Sequence, residues 1–314
     1  MKSCFIFNPH SGANRRRPEF AGYIRDFIRT RGVDADFAIT DGPGHATQMA
    51  ALAARAGCAV VVAVGGDGTV NEVAQGLIGT PTALALVPCG SGNGLALHLG
   101  LPRSPLDALR LATGVGASVA TIDTGTANGR PFVNAMGLGL DAVVGERFNR
   151  LTRRGLPGYT RAAWAAFRSF QPTRVRITGG GGDETLDVLL VAVANSDQYG
   201  NHARIAPGAR VDDGQLDLVA IRAVGIAAAA LLVPRLFLGN LDRSRHVVRL
   251  TGPQFVIERP APAVLHTDGE THFAAGRVQV AVKPRSLRLL VPAASRVGAV
   301  KPLPDSARFA LQLP

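Results

Sequence analysis

The chain has 314 residues, 46% of them apolar and 5% aromatic, with a formal net charge of +11. This length and apolar content allow two domains with a sizeable core and exclude global disorder. The three cysteines, Cys4, Cys58 and Cys89, have neither metal spacing nor a disulfide framework, which fits a reducing cytosol. Ser3–Phe7 reads as a short apolar strand, and Asn8-Pro9-His10 interrupts it too early for a signal peptide. Phe20–Arg31 has helical spacing, Asp36–Ile39 is strand-like, and Thr47–Ala56 is an alanine-rich helix capped by Thr47 or the loop before it. Strand 59–64, a glycine turn, helix 71–77 and strand 83–87 follow, then helix Pro105–Ala112 and strand Val119–Ile122. This βαβ alternation predicts a mainly parallel sheet covered by helices.

The texture changes near residue 125. Arg174–Thr178, Leu186–Ala194, Leu216–Ile221, His246–Leu250, Phe255–Glu258, Val278–Val282 and Leu287–Val291 read as short strands between Gly, Pro and Asp clusters. That spacing predicts an antiparallel β-rich sandwich or barrel. Two helices interrupt it, at Thr160–Phe170 and Ile226–Leu238, and Gly179–Gly182 reads as a hairpin loop. The expected domains are an α/β domain over 1–125 and a β-rich domain over 126–294, with 295–314 a candidate to pack back on the first. The longest uncharged apolar run, Ala223 to Pro234, falls short of the roughly 20 residues needed to span a bilayer. The protein is therefore expected to be soluble or peripheral.

Charge excludes more than it assigns. Only three lysines occur, Lys2, Lys283 and Lys301, and the remaining cations are arginines. Aromatic residues do not interleave with them, so no nucleic-acid stacking platform is expected. No lysine lies in a glycine loop, which excludes a Walker A motif and the strand lysine of protein kinases.

The glycine turn is Gly65-Gly66-Asp67-Gly68-Thr69-Val70-Asn71. Apolar strand, glycine turn and helix in direct succession place backbone amides and a helix N-terminus at the ligand-binding edge of an open α/β sheet. A carboxylate there makes sense beside phosphates bridged by a divalent cation, so the turn points to a nucleotide and Mg2+. An ordinary βα turn is the competing reading. Three further loops follow strands. Asn8-Pro9-His10-Ser11-Gly12 offers small and polar groups to an anion, with Arg15, Arg16 and Arg17 behind it; a plain turn is the alternative. Thr40 ends a strand at the same edge, and Gly90-Ser91-Gly92-Asn93-Gly94 is another glycine-rich turn.

In the second domain, His266-Thr267-Asp268-Gly269-Glu270-Thr271-His272 sets two carboxylates about one glycine. Converging there, they would make a general base for a hydroxyl. An Asp-Gly hairpin and a metal site of His266, Asp268, Glu270 and His272 along one strand face are the alternatives. Asp213 with the carbonyls of Leu216 and Leu218 has the character of a hard-cation site, or of an ordinary turn.

Asn8–Gly12, Gly65–Glu72, Gly90–Gly94 and Asp268-Gly269-Glu270, in this order and spacing, resemble the diacylglycerol kinase catalytic-domain family, which includes bacterial lipid kinases, sphingosine kinases and ceramide kinase. The resemblance covers nearly the whole chain. It implies a NAD-kinase-like α/β domain, a C-terminal β-rich sandwich, and ATP with its substrate between them. The family's ATP contacts would fall on Asn8, Pro9, His10, Ser11, Gly12, Thr40, Gly65, Gly66, Asp67, Gly68, Thr69, Val70, Asn71 and Ser91. Its base would fall on Glu270, with Asp268 beside it, and its structural Mg2+ site on Asp213, Leu216 and Leu218, with Asp212 a competing ligand. Sphingosine-kinase-like enzymes assign the base to the position of Asp67. The residue after Asn93 is Gly94, where diacylglycerol kinases usually carry an acid, so this loop is closer to the sphingosine and ceramide kinases.

The resulting reading is a cytoplasmic, ATP- and Mg2+-dependent lipid kinase acting on a diacylglycerol-like hydroxyl, with a homodimer and peripheral contact with an anionic inner membrane face left open. The alternatives are a sphingoid-base or ceramide kinase, an NAD kinase, and a nucleotide or lipid sensor without turnover. The Leu231–Leu241 stretch, with Arg235 and Arg243 near it, either packs on the sandwich or touches the bilayer.

Overall fold

A computed structural model describes residues 2–143, 170–295, 297 and 301–302. The expected helix Thr160–Phe170 and most of the segment 295–314 lie outside the described residues. The chain divides into two compact units, Met1–Ile122 with Arg285–Pro314, and Asp123–Pro284.

The first unit is an α/β layer structure. Strands β1 (Ser3–Phe7), β2 (Ala35–Ile39), β3 (Val60–Gly65) and β4 (Ala83–Pro88) lie in the spatial order β2-β1-β3-β4 and are all parallel. β1 and β3 are buried at every residue, which is why they read as unbroken apolar runs rather than alternating ones. The helices are α1 (Gly12–Arg16), α2 (Phe20–Thr30), α3 (His45–Arg55), α4 (Asp67–Leu77), α5 (Gly94–His98) and α6 (Pro105–Ala112). α2 sends Ile24 and Phe27 into a core with Phe5, Phe7, Val62 and Val64. α6 starts as its sequence dictates, with Ser104 accepting the Asp107 amide and Pro105 in the first turn. β5 (Ala117–Ala127) runs across the boundary between the units.

Two helix starts differ from the sequence reading. α3 begins at His45 behind Gly44, which is in the left-handed conformation. The Thr47 hydroxyl instead donates to the Glu72 carbonyl at 2.9 Å, and the Glu72 carboxylate accepts the Ala46 amide at 3.1 Å. One helix is therefore capped by the next. α4 begins at Asp67 rather than residue 71, so the glycine turn is itself the first turn of the helix.

The second unit is an antiparallel β sandwich. Its strands are β6 (Arg130–Phe132), β7 (Ala135–Gly139), β8 (Thr173–Gly179), β9 (Gly182–Ala194), β10 (Gln198–Gly200), β11 (Ala203–Arg204), β12 (Leu216–Arg222), β13 (Val247–Gly252), β14 (Gln254–Glu258), β15 (Ala263–Thr267), β16 (Glu270–Ala274) and β17 (Arg277–Pro292). β9 pairs with β7, β8 and β12 along its thirteen residues. Phe132, Met136, Ile177, Val191 and Phe255 fill one core. A second core contains Ala192, Val219 and Leu241, and helix α7 (Ile226–Leu238) adds Leu232 to it. The stretches Val278–Val282 and Leu287–Val291 are one strand, β17, which runs on through the Lys283–Ser286 segment although Arg285 there is in the left-handed conformation. The Asp268-Gly269 segment is a two-residue hairpin joining β15 to β16, with φ of +49° and +85° at its two residues, the type I′ signature.

Candidate active site

Four parallel strands of the first unit end side by side, and the loops leaving them are cross-tied. Asn8 follows β1; its side-chain amide donates to the Thr69 hydroxyl at 2.9 Å, and its side-chain carbonyl accepts the His10 amide at 2.9 Å. The Ser11 hydroxyl accepts the Gly66 amide at 3.2 Å. Thr40, at the end of β2, is buried and its amide donates to the Phe7 carbonyl at 2.9 Å. Asn14, which the sequence reading passed over, donates its side-chain amide to the carbonyls of Asn8 and Val64 and so pins the first loop to β3. An asparagine two residues after a glycine reads as turn chemistry, and nothing local shows that it is buried.

The glycines allow two loops to touch. A side chain at Gly90 would put its first carbon 2.7 Å from the Gly66 α-carbon, closer than the backbone allows, and one at Gly66 would crowd the Gly90 α-carbon at 3.1 Å. At Gly65 the Thr69 side chain fills the space instead. The Asp67 carboxylate spans the same gap. One oxygen accepts the Asn93 amide and the other the Gly94 amide, each at 2.8 Å. Burial raises its pKa against the pull of these two amides. Asn93 adopts a left-handed conformation and closes its own loop, its side chain accepting from the Gly90 amide and donating to the Gly90 carbonyl. Ser91 is exposed at the tip.

Two side chains in this assembly are out of balance: the buried Asn14 side-chain carbonyl oxygen has no hydrogen-bond partner, and Asn71 is less satisfied still. Asn71, on α4, is 1% exposed, and neither end of its side-chain amide has a hydrogen-bond partner. Buried polar atoms are rarely left this way without a ligand or water to complete them. The residues therefore fit a polar guest at this edge: amides and hydroxyls from three loops, a helix N-terminus, and an unsatisfied amide below. Cys89, between two of these loops, has its thiol pushed up to about 12 by burial and is unreactive.

The candidate groups of the second unit fall out differently. The Asp268 carboxylate turns back on the chain, accepting the amides of Val133 at 2.6 Å and of Asn134 and Ala135 at 2.9 Å each. Burial pushes it up to about 6, the three amides and His266 pulling the other way. Glu270, the first residue of β16, is exposed. The two carboxylates thus play separate parts, one holding the turn and one standing at the surface. His266 lies on β15 and His272 on β16, so the hairpin breaks the alternation that would have aligned four metal ligands on one strand. Among the described residues no group of three or more His, Cys, Asp or Glu side chains is placed to hold a metal ion.

Around Asp213 the fit to a cation is partial. Its pKa is raised by burial and by the neighbouring Asp217, Asp123 and Asp212, a concentration of charge that a cation would relieve. Asp217 is engaged by Arg249 and Thr251, and Asp212 by Arg210. Leu218 is paired on both flanks, with Val193 and Leu250, whereas Leu216 precedes the pairing of β12 with β9. Asp213 itself accepts the Gln215 amide at 3.0 Å, and Leu216 is paired on one flank only, with Gly252 of β13.

Comparison with known proteins adds a second line. Residues 2–127 match the sequence model of the diacylglycerol kinase catalytic domain, and residues 134–291 that of the YegS C-terminal NAD kinase beta sandwich-like domain. A relative from Chromohalobacter salexigens, named a probable lipid kinase YegS-like, is 32% identical over 276 residues, which cover 85% of this chain and 87% of the relative. The diacylglycerol kinase of Bacillus subtilis is 28% identical, covering 84% and 88%. Among solved structures, a diacylglycerol kinase from Bacillus anthracis superposes with a TM-score of 0.71 at 22% identity, over 94% of this chain and 98% of its own. An NAD kinase from Archaeoglobus fulgidus in complex with ATP superposes with a TM-score of 0.51 at 11% identity, over 93% and 94%, a likeness of fold.

Proposed function

The chain belongs to the diacylglycerol kinase catalytic-domain family with a YegS-type C-terminal domain, and from that membership we propose that it transfers the γ-phosphoryl group of ATP to the hydroxyl of a lipid. The observation that carries the proposal is the strand-end assembly of the first unit, where Gly66 and Gly90 meet, Asp67 ties the loops, and the buried Asn71 amide lacks a partner. Asn8–Gly12, Thr40, Gly65–Asn71 and Ser91 are the residues assigned to the nucleotide. Such transfer depends on positioning and charge neutralisation more than on covalent help. Mg2+, when bound with the nucleotide, would neutralise phosphate charge, and Asp67, whose two oxygens also hold the Asn93 and Gly94 amides, is the carboxylate assigned to it at this edge. Asp213 and Leu216 would hold a second, structural ion.

In this reading Glu270 takes the proton of the lipid hydroxyl as that oxygen bonds to the γ-phosphorus and ADP departs. Its exposure leaves it open to an incoming acceptor. Asp268 keeps the turn in place through its three backbone bonds. Diacylglycerol is the acceptor proposed first. A sphingoid base or ceramide is the second reading, because Gly94 stands where an acid is usual in diacylglycerol kinases, and its amide is committed to Asp67.

The lipid must be reached at a membrane. No described helix is long and apolar enough to cross one. α7 meets the sandwich through Leu232 and turns Ile226, Leu231, Val233, Phe237 and Leu238 outward, with Arg222, Arg235, Arg243 and Arg245 in or near it. An apolar face with cationic flanks is the chemistry of peripheral docking on an anionic bilayer.

The test is phosphoryl transfer from γ-labelled ATP to diacylglycerol, monoacylglycerol, sphingoid base, ceramide and NAD+ in parallel, for the native chain and Glu270→Ala. A labelled lipid is expected, with kcat falling at least about 100-fold in the variant. NADP+ without a lipid product would overturn the lipid reading, and full activity of Glu270→Ala would overturn the base assignment.

A further inference from the structure

Next to the Asp268-Gly269 turn, the second unit buries a polar cluster with no part in the reading above. His266, on β15, directs Nε2 to Asp141 at 3.2 Å, and their side chains are 10% and 8% exposed. The Tyr199 hydroxyl donates to the same Asp141 oxygen at 2.9 Å, while the other oxygen accepts the Ala142 amide at 2.8 Å. The Tyr199 ring meets the imidazole edge-on, with centroids 6.3 Å apart. On the other side of the ring, Nδ1 accepts the Gly269 amide at 3.4 Å. This pattern assigns the tautomer: Nδ1 carries the lone pair and Nε2 the proton that Asp141 receives.

The sheet makes room for this pair. His266 lies opposite Gly137 in the register of β15 on β7, and a side chain at Gly137 would collide with both Asp141 and His266. As a stabiliser, a buried polar cluster is usually no better than an apolar one of the same volume. Its position gives it another use. Glu270 follows the turn directly, so the turn sets its direction. Side chains hold the turn at both ends, Asp268 on the amides of residues 133–135 and His266 on the Gly269 amide.

We infer that His266, clamped by Asp141 and Tyr199, is a positioning residue for Glu270. The inference rests on Glu270 being the base. The experiment uses the full chain, γ-labelled ATP and vesicles containing dioleoylglycerol, or the acceptor that the panel above ranks first. His266→Ala is expected to lower kcat about 10–100-fold with KM for ATP within about twofold. His266→Asn puts a side-chain oxygen where Nδ1 stood and recovers most of the loss. His266→Gln reaches toward Asp141 instead and does not. Equal recovery by Asn and Gln, or a fully active His266→Ala, would overturn the inference. Should His266→Ala not fold, Tyr199→Phe decides the matter, with an expected loss of about threefold or more in kcat at unchanged Tm, unaltered kcat counting against the inference. Full activity in Glu270→Ala sinks the base assignment, whereas an inactive Glu270→Ala beside a fully active His266→Ala sinks the positioning role alone.

Discussion

Two aspartates that catch the eye in the sequence as chemical groups both serve as latches. Asp67 joins α4 to the loop before α5 through the amides of Asn93 and Gly94, and Asp268 joins the β15–β16 turn to residues 133–135. The sequence marks the acidic end of each latch, because a carboxylate beside a glycine in a turn is conspicuous. It cannot mark the other end, since a backbone amide leaves no side-chain signature and Val133 is 135 positions from Asp268. Asn14 and Tyr199 were illegible for the same reason: their roles arise only when distant segments meet. The Asp268 latch has a pH dependence whose sign follows from its pKa. Raised from 3.8 to about 6, the group binds a proton more tightly folded than unfolded. The resulting stability is fully present below the ordinary value and is lost as pH rises through the folded one. Asp268→Asn lacks this titration and also turns an amide donor toward backbone donors. It should lower Tm, with a gap to the native protein that is widest near pH 4 and narrows as pH rises through about 6. Thermal unfolding across that range checks it, and a gap that widens with pH would count against it.

Most elements were legible because their periods were clean. The all-buried strands and the amphipathic α2 appear where apolar residues dictate, and the Asp-Gly pair makes the hairpin expected of it. The failures lie where a local signal lost to tertiary contact. Lys283-Pro284-Arg285 looks like a break, yet β17 continues through it, with Arg285 at a φ of +48°. Of the two caps expected for α3, Thr47 or the loop before it, the loop provides the position, at Gly44, and the distant Glu72 side chain accepts the Ala46 amide. The close approach of α3 and α4 that allows this depends on Gly76. A side-chain carbon there would lie 2.5 Å from the Thr47 carbonyl and 2.8 Å from the Ala50 β-carbon. In an isolated helix Gly→Ala stabilises by about 1 kcal/mol. Here crowding outweighs that gain, and Gly76→Ala should destabilise by about 1–3 kcal/mol in denaturant unfolding. A rise in stability would show that the helices separate without cost.

At the scale of the molecule, charge and apolar exposure have to be read together. A net charge of +11 alone fits several anionic partners. α7 narrows the choice, because Leu231 and Leu238 are each 72% exposed on a helix whose one cation is Arg235. Exposed apolar side chains of this size mark a surface that meets something. Leu231→Asp with Phe237→Asp should weaken binding to phosphatidylglycerol vesicles about tenfold or more in a co-sedimentation assay. Equal binding of native and variant protein would exclude α7 as the docking face. The division of the chain has a different consequence. The first unit is discontinuous: its sheet is completed beside β4 by Arg288 and Leu289 of β17, after the whole second unit has intervened. During synthesis, β4 therefore leaves the ribosome roughly two hundred residues ahead of its partner, by the difference in their numbering. Until the end of β17 emerges, that flank of β4 offers open amides and carbonyls to any extended chain. The nascent sandwich thus has to fold while the first sheet still waits for its last strand, and a fragment stopping at residue 127 would keep that edge permanently uncovered.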